Sequence, residues 1–249
     1  MAATEDDDKY RAPALDKGLD ILELLAAQPS GMTRTEIVKS LGRSSSEIYR
    51  MLERLVIRGY VNRSIEGDRF SLSIKLFQLG TTFPPVRRIV DRAQPLMDAF
   101  ARQCLQSIHL AVPDRGKIVV VAQATSQASW EFGLRLGAEL DLLETGSGQT
   151  FLAFSTPDER QHLLAFAKGP TISPEISDHL SEIFDAGHRI RPSRQLVGVT
   201  DISVPVFSGA GGPIGVLTCP FLPRVDHQNQ QVDKCLAMAL ETAQKIRGA

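Results

Sequence analysis

Residues 41–52 read Leu41-Gly-Arg-Ser-Ser-Ser-Glu-Ile-Tyr-Arg-Met-Leu52. Gly42 tolerates the left-handed backbone of a sharp turn, so Leu41-Gly42-Arg43 ends whatever helix precedes it. Ser44 then stands as an N-cap, and Ile48, Met51, Leu52 and Leu55 follow at i, i+3, i+4 and i+7. At about 100° per residue these four cluster on one side. Ser46, Tyr49, Arg50 and Arg54 fall on the others. The stretch predicts a turn and then a helix whose outer surface is polar and basic.

Upstream, Thr33 and Glu36 have the spacing of a capping box that opens a short helix with Ile37 and Val38 inward. Further back, Leu15, Leu19, Ile21, Leu22 and Leu25 form a helical stripe closed by Gln28-Pro29-Ser30-Gly31. Downstream, Arg58-Gly59 stops the helix. Tyr60–Arg63 and Arg69–Ser73 then alternate around Ile65-Glu66-Gly67-Asp68, a hairpin signal. Helix, helix, turn, helix and hairpin make a winged helix-turn-helix. Such a helix fits the major groove, with exposed side chains on base edges and flanking arginines on phosphates. The plainer alternative is a three-helix interaction module with solvated arginines. Seven Arg residues from Arg34 to Arg69 favour DNA. The contact candidates are Thr33, Arg34, Arg43, Ser44, Ser45, Ser46, Tyr49, Arg50, Arg54, Arg63 and Arg69.

The wider composition fits this reading. The chain has 249 residues, 43% apolar and 23% charged, as in ordinary soluble proteins and unlike a disordered chain. No apolar run approaches the roughly 20 residues of a membrane span, and no secretory leader opens the sequence, so the cytoplasm is expected. Cys104, Cys219 and Cys235 are scattered without a C-x-x-C pair, which predicts buried free thiols rather than disulfides or zinc ligands. A net charge of −1 is unevenly spread. Residues 1–10 carry Glu5, Asp6, Asp7 and Asp8 against Lys9, an acidic arm resembling a protease-cleavage tag and expected to be disordered. Residues 11–75 carry eleven Lys and Arg against eight Asp and Glu, a net of +3, and the remainder is nearly neutral. A mildly basic segment permits a nucleic-acid contact.

Pro84-Pro85 marks a break, and Val86–Ser107 reads as a long helix with Ile89, Ala93, Met97 and Phe100 inward and Pro95 as a kink. His109–Val112 and Lys117–Ala124 flank the turn Pro113-Asp114-Arg115-Gly116. Trp130–Leu136 is a third candidate strand. Pro157–Lys168 and Pro174–Gly187 read as amphipathic helices. Thr200–Phe207 and Pro213–Cys219 form a hairpin around Ser208–Gly212, and Val225–Ile246 is a closing helix. Hairpins with interleaved helices imply an α+β fold with an antiparallel sheet. The organisation expected is a disordered arm (1–10), a DNA-binding domain (11–75), linker helices (76–107) and a ligand-binding domain (108–249).

Several segments resemble the IclR-type transcriptional regulators in order and spacing. They are Leu15–Leu25, Leu41–Leu52, Arg58-Gly-Tyr-Val61 and Arg69-Phe-Ser-Leu72 with Leu79-Gly80. Downstream, Gly137, Gly146-Ser-Gly148 with Phe151-Leu-Ala153, and Gly198–Phe207 with Gly215 resemble the GAF-like effector domain of the same family. The chain departs from the family pattern at several points. Ser45 and Glu47 stand where a basic or proline-flanked residue and Thr are usual, and Gln149 replaces the usual Lys. Arg191–Arg194 occupy a normally acidic segment, and Cys219-Pro220 replaces a small Ser/Gly pair. The resemblance implies a ligand-responsive repressor that binds a pseudo-palindromic double-stranded operator as a homodimer or tetramer. It maps an effector pocket to Leu140, Gly146, Ser147, Arg191, Asp201, Thr218 and Pro220. Trp130, read from its residue type alone, fits the core first and an aromatic wall of the pocket second.

Enzyme signals are weak beside this. Thr145-Gly-Ser-Gly-Gln149 lacks the outer glycines of a nucleophile elbow and instead resembles a helix N-terminus, whose N–H groups suit a carboxylate. Gly209–Gly215 fails G-x-G-x-x-G at Ile214 and reads as a hairpin turn. His109, His162, His179, His188 and His227 have no metal-ligand spacing. No catalytic residue, metal or cofactor is assigned. A small organic acid is the expected effector, since helix N-terminus and arginines favour an anion while Asp201 would accept from a hydroxyl. The alternatives are a small-molecule hydrolase or transferase with an accessory helix-turn-helix, and an architectural DNA-binding protein without a ligand.

Overall fold

The computed structural model describes residues 12–126, 132–167, 172–224 and 232–247. The acidic arm, Trp130 and His227 lie outside the described residues. The chain divides into two compact units, Met1–Pro84 and Pro85–Ala249.

In the first unit, α1 (Pro13–Ala26), α2 (Arg34–Leu41) and α3 (Ser45–Ile57) surround Ile21, Leu25, Ile37, Ile48 and Leu52, all nearly inaccessible to solvent. Capping boxes open both α2 and α3: Thr33 with Glu36, and Ser44 with Glu47. Gly42 between them is left-handed, with φ 60° and ψ 30°. Glu47 also hydrogen-bonds Lys17 of α1, and that bond first, with the Ser44 bonds, holds its carboxyl down to about 2. The glutamate at a usual threonine position is thus a helix cap and a brace between two helices. The wing is β2 (Val61–Arg63) paired with β3 (Arg69–Leu72), and a two-residue strand, β1 (Met32–Thr33), adds to the other edge of β3. A strand this short carries no readable alternation. It is fixed instead by Gly31, where a Cβ would fall 2.6 Å from the Phe70 carbonyl oxygen. The short helix α4 (Lys75–Thr82) follows.

In the second unit, α5 (Pro84–Cys104) runs on through Pro95. The boundary between the two units falls at Pro84-Pro85, where a break is expected, and the same two prolines open the helix, because Pro lacks an N–H that the first turn could not have paired. Strands β4 (Ile108–Asp114), β5 (Lys117–Ala124), β6 (Glu139–Asp141), β7 (Arg189–Pro192), β8 (Thr200–Phe207) and β9 (Pro213–Phe221) form an antiparallel sheet in the order β6-β5-β4-β9-β8-β7. One face carries Leu110, Ala122, Ile202, Val204, Leu217 and Cys219 against α5 and α9 (Val232–Arg247). The other face meets α6 (Gly146–Phe154) and α8 (Pro174–Ala186) through Ala111, Ile118, Leu152, Leu180 and Ile183, with α7 (Pro157–Phe166) between them in sequence. The three cysteines are free and buried.

The strand expected at Trp130–Leu136 is not formed in its described part, Phe132–Leu136. The chain joins β5 only from Gly137, through Gly137 N–H to Val120 O and Val120 N–H to Ala138 O. The apolar alternation of Phe132 and Leu134 serves a cavity wall instead. The edge strands β6 and β7 have no counterpart in the sequence reading.

Candidate nucleic-acid interface and ligand pocket

On α3 the buried face is Ile48 and Leu52, which leaves Ser45, Ser46, Tyr49, Arg50 and Arg54 exposed. Arg34 at the start of α2 lies over the Tyr49 ring, 5.7 Å from its centroid, so the two form one exposed surface. Other candidates have structural partners. Thr33 and Ser44 hydroxyls are used in their capping boxes. Arg43 faces Asp20 at 3.7 Å. Arg63 spans the wing, from Gly67 O at 2.9 Å to Glu53 at 3.3 Å. Arg69 donates to the carbonyls of Ser30 and Gly31 at 3.3 and 2.9 Å, which makes it a clamp between β3 and the loop before β1. Arg50 and Arg54 are exposed and make no ion pair among the described residues.

The second unit holds a cavity with about 470 Å³ of empty space, part of it open to solvent. Its apolar wall includes Phe132, Leu134, Leu140 and Pro220, and its polar side His109, Gly146, Ser147, Asp201 and Thr218. Strand register gathers these groups. His109 pairs with Thr218, Thr218 with Ser203, and Asp201 with Pro220, so all project from one face of the sheet. The helix α6 is aimed at that face by a rigid entry. Thr145 Oγ1 donates to Asp141 O at 2.6 Å and accepts from Gly148 N–H at 3.1 Å.

Below the pocket a buried chain runs from His109 Nε2 to Ser147 Oγ (3.4 Å), to Thr218 Oγ1 (2.9 Å), to Ser203 Oγ (2.9 Å). Burial holds the His109 ring down to about 4, so it is neutral near pH 7. Burial also raises the Asp201 carboxyl, against the pull of Ser193 and Arg189. Arg194 stands at the rim, paired with Glu144 at 3.2 Å.

Of the positions mapped from sequence, Leu140, Gly146, Ser147, Asp201, Thr218 and Pro220 line this one cavity. Arg191 does not. Its backbone lies opposite Asp201, but its guanidinium turns out to Glu182 on α8 and forms an exposed ion pair. The basic groups near the pocket are its neighbours, Arg194 at the rim and Arg189 beneath. The alternation Arg189-Ile190-Arg191 was the available signal for Arg189, legible only once that segment is known to be a strand.

A winged helix-turn-helix that presents uncommitted arginines, and an α+β unit enclosing a mixed polar and apolar pocket, define a ligand-responsive DNA-binding transcriptional regulator. Residues 14–64 match the IclR helix-turn-helix domain and residues 85–247 the C-terminal domain of the bacterial transcriptional regulator IclR. The chain belongs to the IclR family. It is 26% identical over 219 residues to the transcriptional regulator KdgR of Escherichia coli, covering 85% of this chain and 83% of that one. It is 19% identical over 214 residues to the repressor IclR of the same organism, covering 82% and 78%. The fold matches an IclR homolog from Microbacterium hydrocarbonoxydans complexed with 4-hydroxybenzoate, with TM-score 0.76, 21% identity and coverage of 94% and 97%. Thermotoga maritima IclR gives 0.73, 23%, 94% and 96%. These relatives are regulators, and the hydrolase or transferase alternative falls away. Among the described residues no helix is long and apolar enough to cross a membrane.

Proposed function

We propose that this protein is a repressor that reads a pseudo-palindromic operator as a homodimer or tetramer and changes its grip on DNA when a small organic acid enters the pocket. The carrying observation is the pocket's mixed lining: the first turn of α6, Arg194 and Asp201 together with the apolar side chains of Phe132, Leu134 and Leu140. Helix N-termini favour anions, and an ionised Asp201 accepts a hydrogen bond from a hydroxyl. A hydroxy- or oxo-acid meets both demands, and an aromatic hydroxy-acid meets them with a ring against Phe132 and Leu134. The 4-hydroxybenzoate held by the Microbacterium homolog is of that chemistry. Exposed Leu15 and Leu19 on α1, and Phe77 and Leu79 on α4, supply apolar surface for self-association. One recognition helix reads too few bases for genomic specificity, which favours paired half-sites. A repressor acting on chromosomal DNA would work in the cytoplasm.

Arg50→Ala is expected to weaken operator binding by about 1–3 kcal/mol, the usual worth of a specific base contact. Arg63→Ala should weaken binding to every sequence alike and lower the salt slope. Gel shifts at several salt concentrations separate the two, and an Arg50→Ala protein that binds its operator like wild type refutes the α3 assignment.

The operator itself should be a pseudo-palindrome of two half-sites. Light scattering that finds a monomer at micromolar concentration, with and without DNA, rules out the paired reading. For the effector, a thermal-shift screen of small organic acids is decisive, since a binder at 100 times its Kd adds about 2.7 kcal/mol.

A further inference from the structure

The cavity opens to solvent at its rim, but its polar floor is shut away. His109, Ser147 and Thr218 all line it and are 4% exposed or less. A ligand reaches them only if part of the wall gives way. Much of that wall is fixed. The sheet side is a continuous antiparallel ladder of β4, β9 and β8. The turn that leads into α6 is pinned, because Asp141 accepts from the Leu143 and Glu144 N–H groups and Thr145 Oγ1 donates to Asp141 O.

The loop between β7 and β8, residues 193–199, is held differently. Ser193 N–H donates to Val199 O at 2.8 Å and closes its neck. Gln195 N–H donates to Ser193 Oγ at 3.4 Å, a bond within the loop itself. Among the described residues no backbone hydrogen bond joins Arg194–Gly198 to the sheet or to a helix. Gly198 turns the chain back with φ 81°, a conformation that favours glycine. A short loop with close ends and few ties to its scaffold opens at low cost. Its first half faces inward: Ser193, Arg194, Gln195 and Leu196 line the cavity, while Val197 is fully exposed.

One charge pair crosses from this loop to the pinned turn. Arg194 Nη1 lies 3.2 Å from Glu144 Oε2, and both residues line the cavity. Glu144 is therefore a fixed post, and Arg194 rides on the part that can move. Both side chains are more than half exposed, so the pair is weak and open to screening by salt. Arg194 also belongs to the segment that departs from the acidic family pattern. An acidic side chain there would be repelled by Glu144.

We propose that residues 193–199 are a lid on the cavity, latched by the Arg194–Glu144 ion pair and carrying Leu196 over the mouth. Its role in admitting the effector rests on the reading of the cavity as the effector site. An exposed pair holds such a lid by a factor of about two to five, enough to gate entry without forbidding it.

The test is the rate at which iodoacetamide, a neutral reagent, labels a single pocket thiol in the full chain. Ser147→Cys supplies the thiol, and wild type, whose three cysteines are buried, supplies the background. In the Ser147→Cys protein, Glu144→Gln and Arg194→Gln should each speed labelling about two- to fivefold. These substitutions remove opposite charges, so an effect on the ionisation of the thiol would move the two rates in opposite directions. Salt should speed the latched protein towards the two variants and leave the variants unchanged. The reversed pair, Glu144→Arg with Arg194→Glu, should label as slowly as the latched protein. Leu140→Cys carries the same comparison if Ser147→Cys fails to fold. Rates that ignore the latch or salt, rates that move in opposite directions, a reversed pair as fast as the single variants, or a pocket thiol never labelled overturns the lid. The effector reading fails separately: a gated cavity whose alkylation leaves DNA binding unaltered is not the effector site, and the lid stands.

Discussion

Gly148→Ala is expected to destabilise the second unit by about 3 kcal/mol or more, a large share of the 5–15 kcal/mol typical of a domain. An alanine Cβ at this position would stand 2.5 Å from Leu142 Cα and 2.6 Å from Asp141 O, and closer still to Leu142 O. All three are backbone atoms, so no rotamer change relieves the overlap. The turn they belong to is also pinned. Asp141 accepts from the Leu143 and Glu144 N–H groups at 2.8 and 3.1 Å, and Gln149 donates to Leu143 O at 2.6 Å. Either α6 must back away from the sheet or this turn must open. The control is Gly146→Ala two residues earlier, whose Cβ meets side-chain atoms that can shift. Urea denaturation of the pair should therefore show a large loss for position 148 and a much smaller one for 146. Similar losses at the two positions, or a Gly148→Ala loss under about 1 kcal/mol, contradict the close approach of helix and turn.

What was legible in the sequence follows from how local each signal is. The helix-turn-helix is specified by caps and turns that act within four residues: Thr33 with Glu36, Gly42, and Ser44 with Glu47. Such signals need no tertiary partner to be read. The hairpin β4–β5 was equally plain: Asp114-Arg115-Gly116 is a local turn signal, borne out by the positive φ of Arg115 and Gly116, 41° and 78°, and the β5 strand beyond it alternates throughout. The edge strands β6 and β7 were hidden, since three or four residues give too short an alternation and their identity comes from the strand beside them. That omission explains the errors in the pocket. Phe132 and Leu134 alternate like a strand but line a cavity. Arg191 shares a sheet face with Asp201, yet nothing local shows that Glu182 on α8 will draw its side chain outward. Arg189 was illegible for the same reason: its burial follows only once β7 is laid beside β8, where it pairs with Ser203.

The second unit should lose about 3 kcal/mol as pH falls from 6.5 to 4 through His109 alone, beyond what its carboxylates contribute. The ring is buried, and burial depresses its folded-state value from 6.5 to about 4. Between those values the unfolded chain takes up a proton that the folded chain refuses. Stability is therefore complete above pH 6.5, falls by about 1.4 kcal/mol per pH unit within the window, and stops falling from this source below 4. The ring also ends the hydroxyl chain at Ser147, so a glutamine there, which can keep a hydrogen bond to Ser147 but cannot titrate, is the apt comparison. Urea denaturation of wild type and His109→Gln at half-unit intervals from pH 7 to 4 should give curves whose separation changes by roughly 3 kcal/mol across the window. The variant should be the less sensitive to acid, whichever protein is more stable at pH 7. Parallel curves would mean that the folded protein accepts the proton as readily as the unfolded one, and that His109 is not the neutral buried group the pocket floor requires.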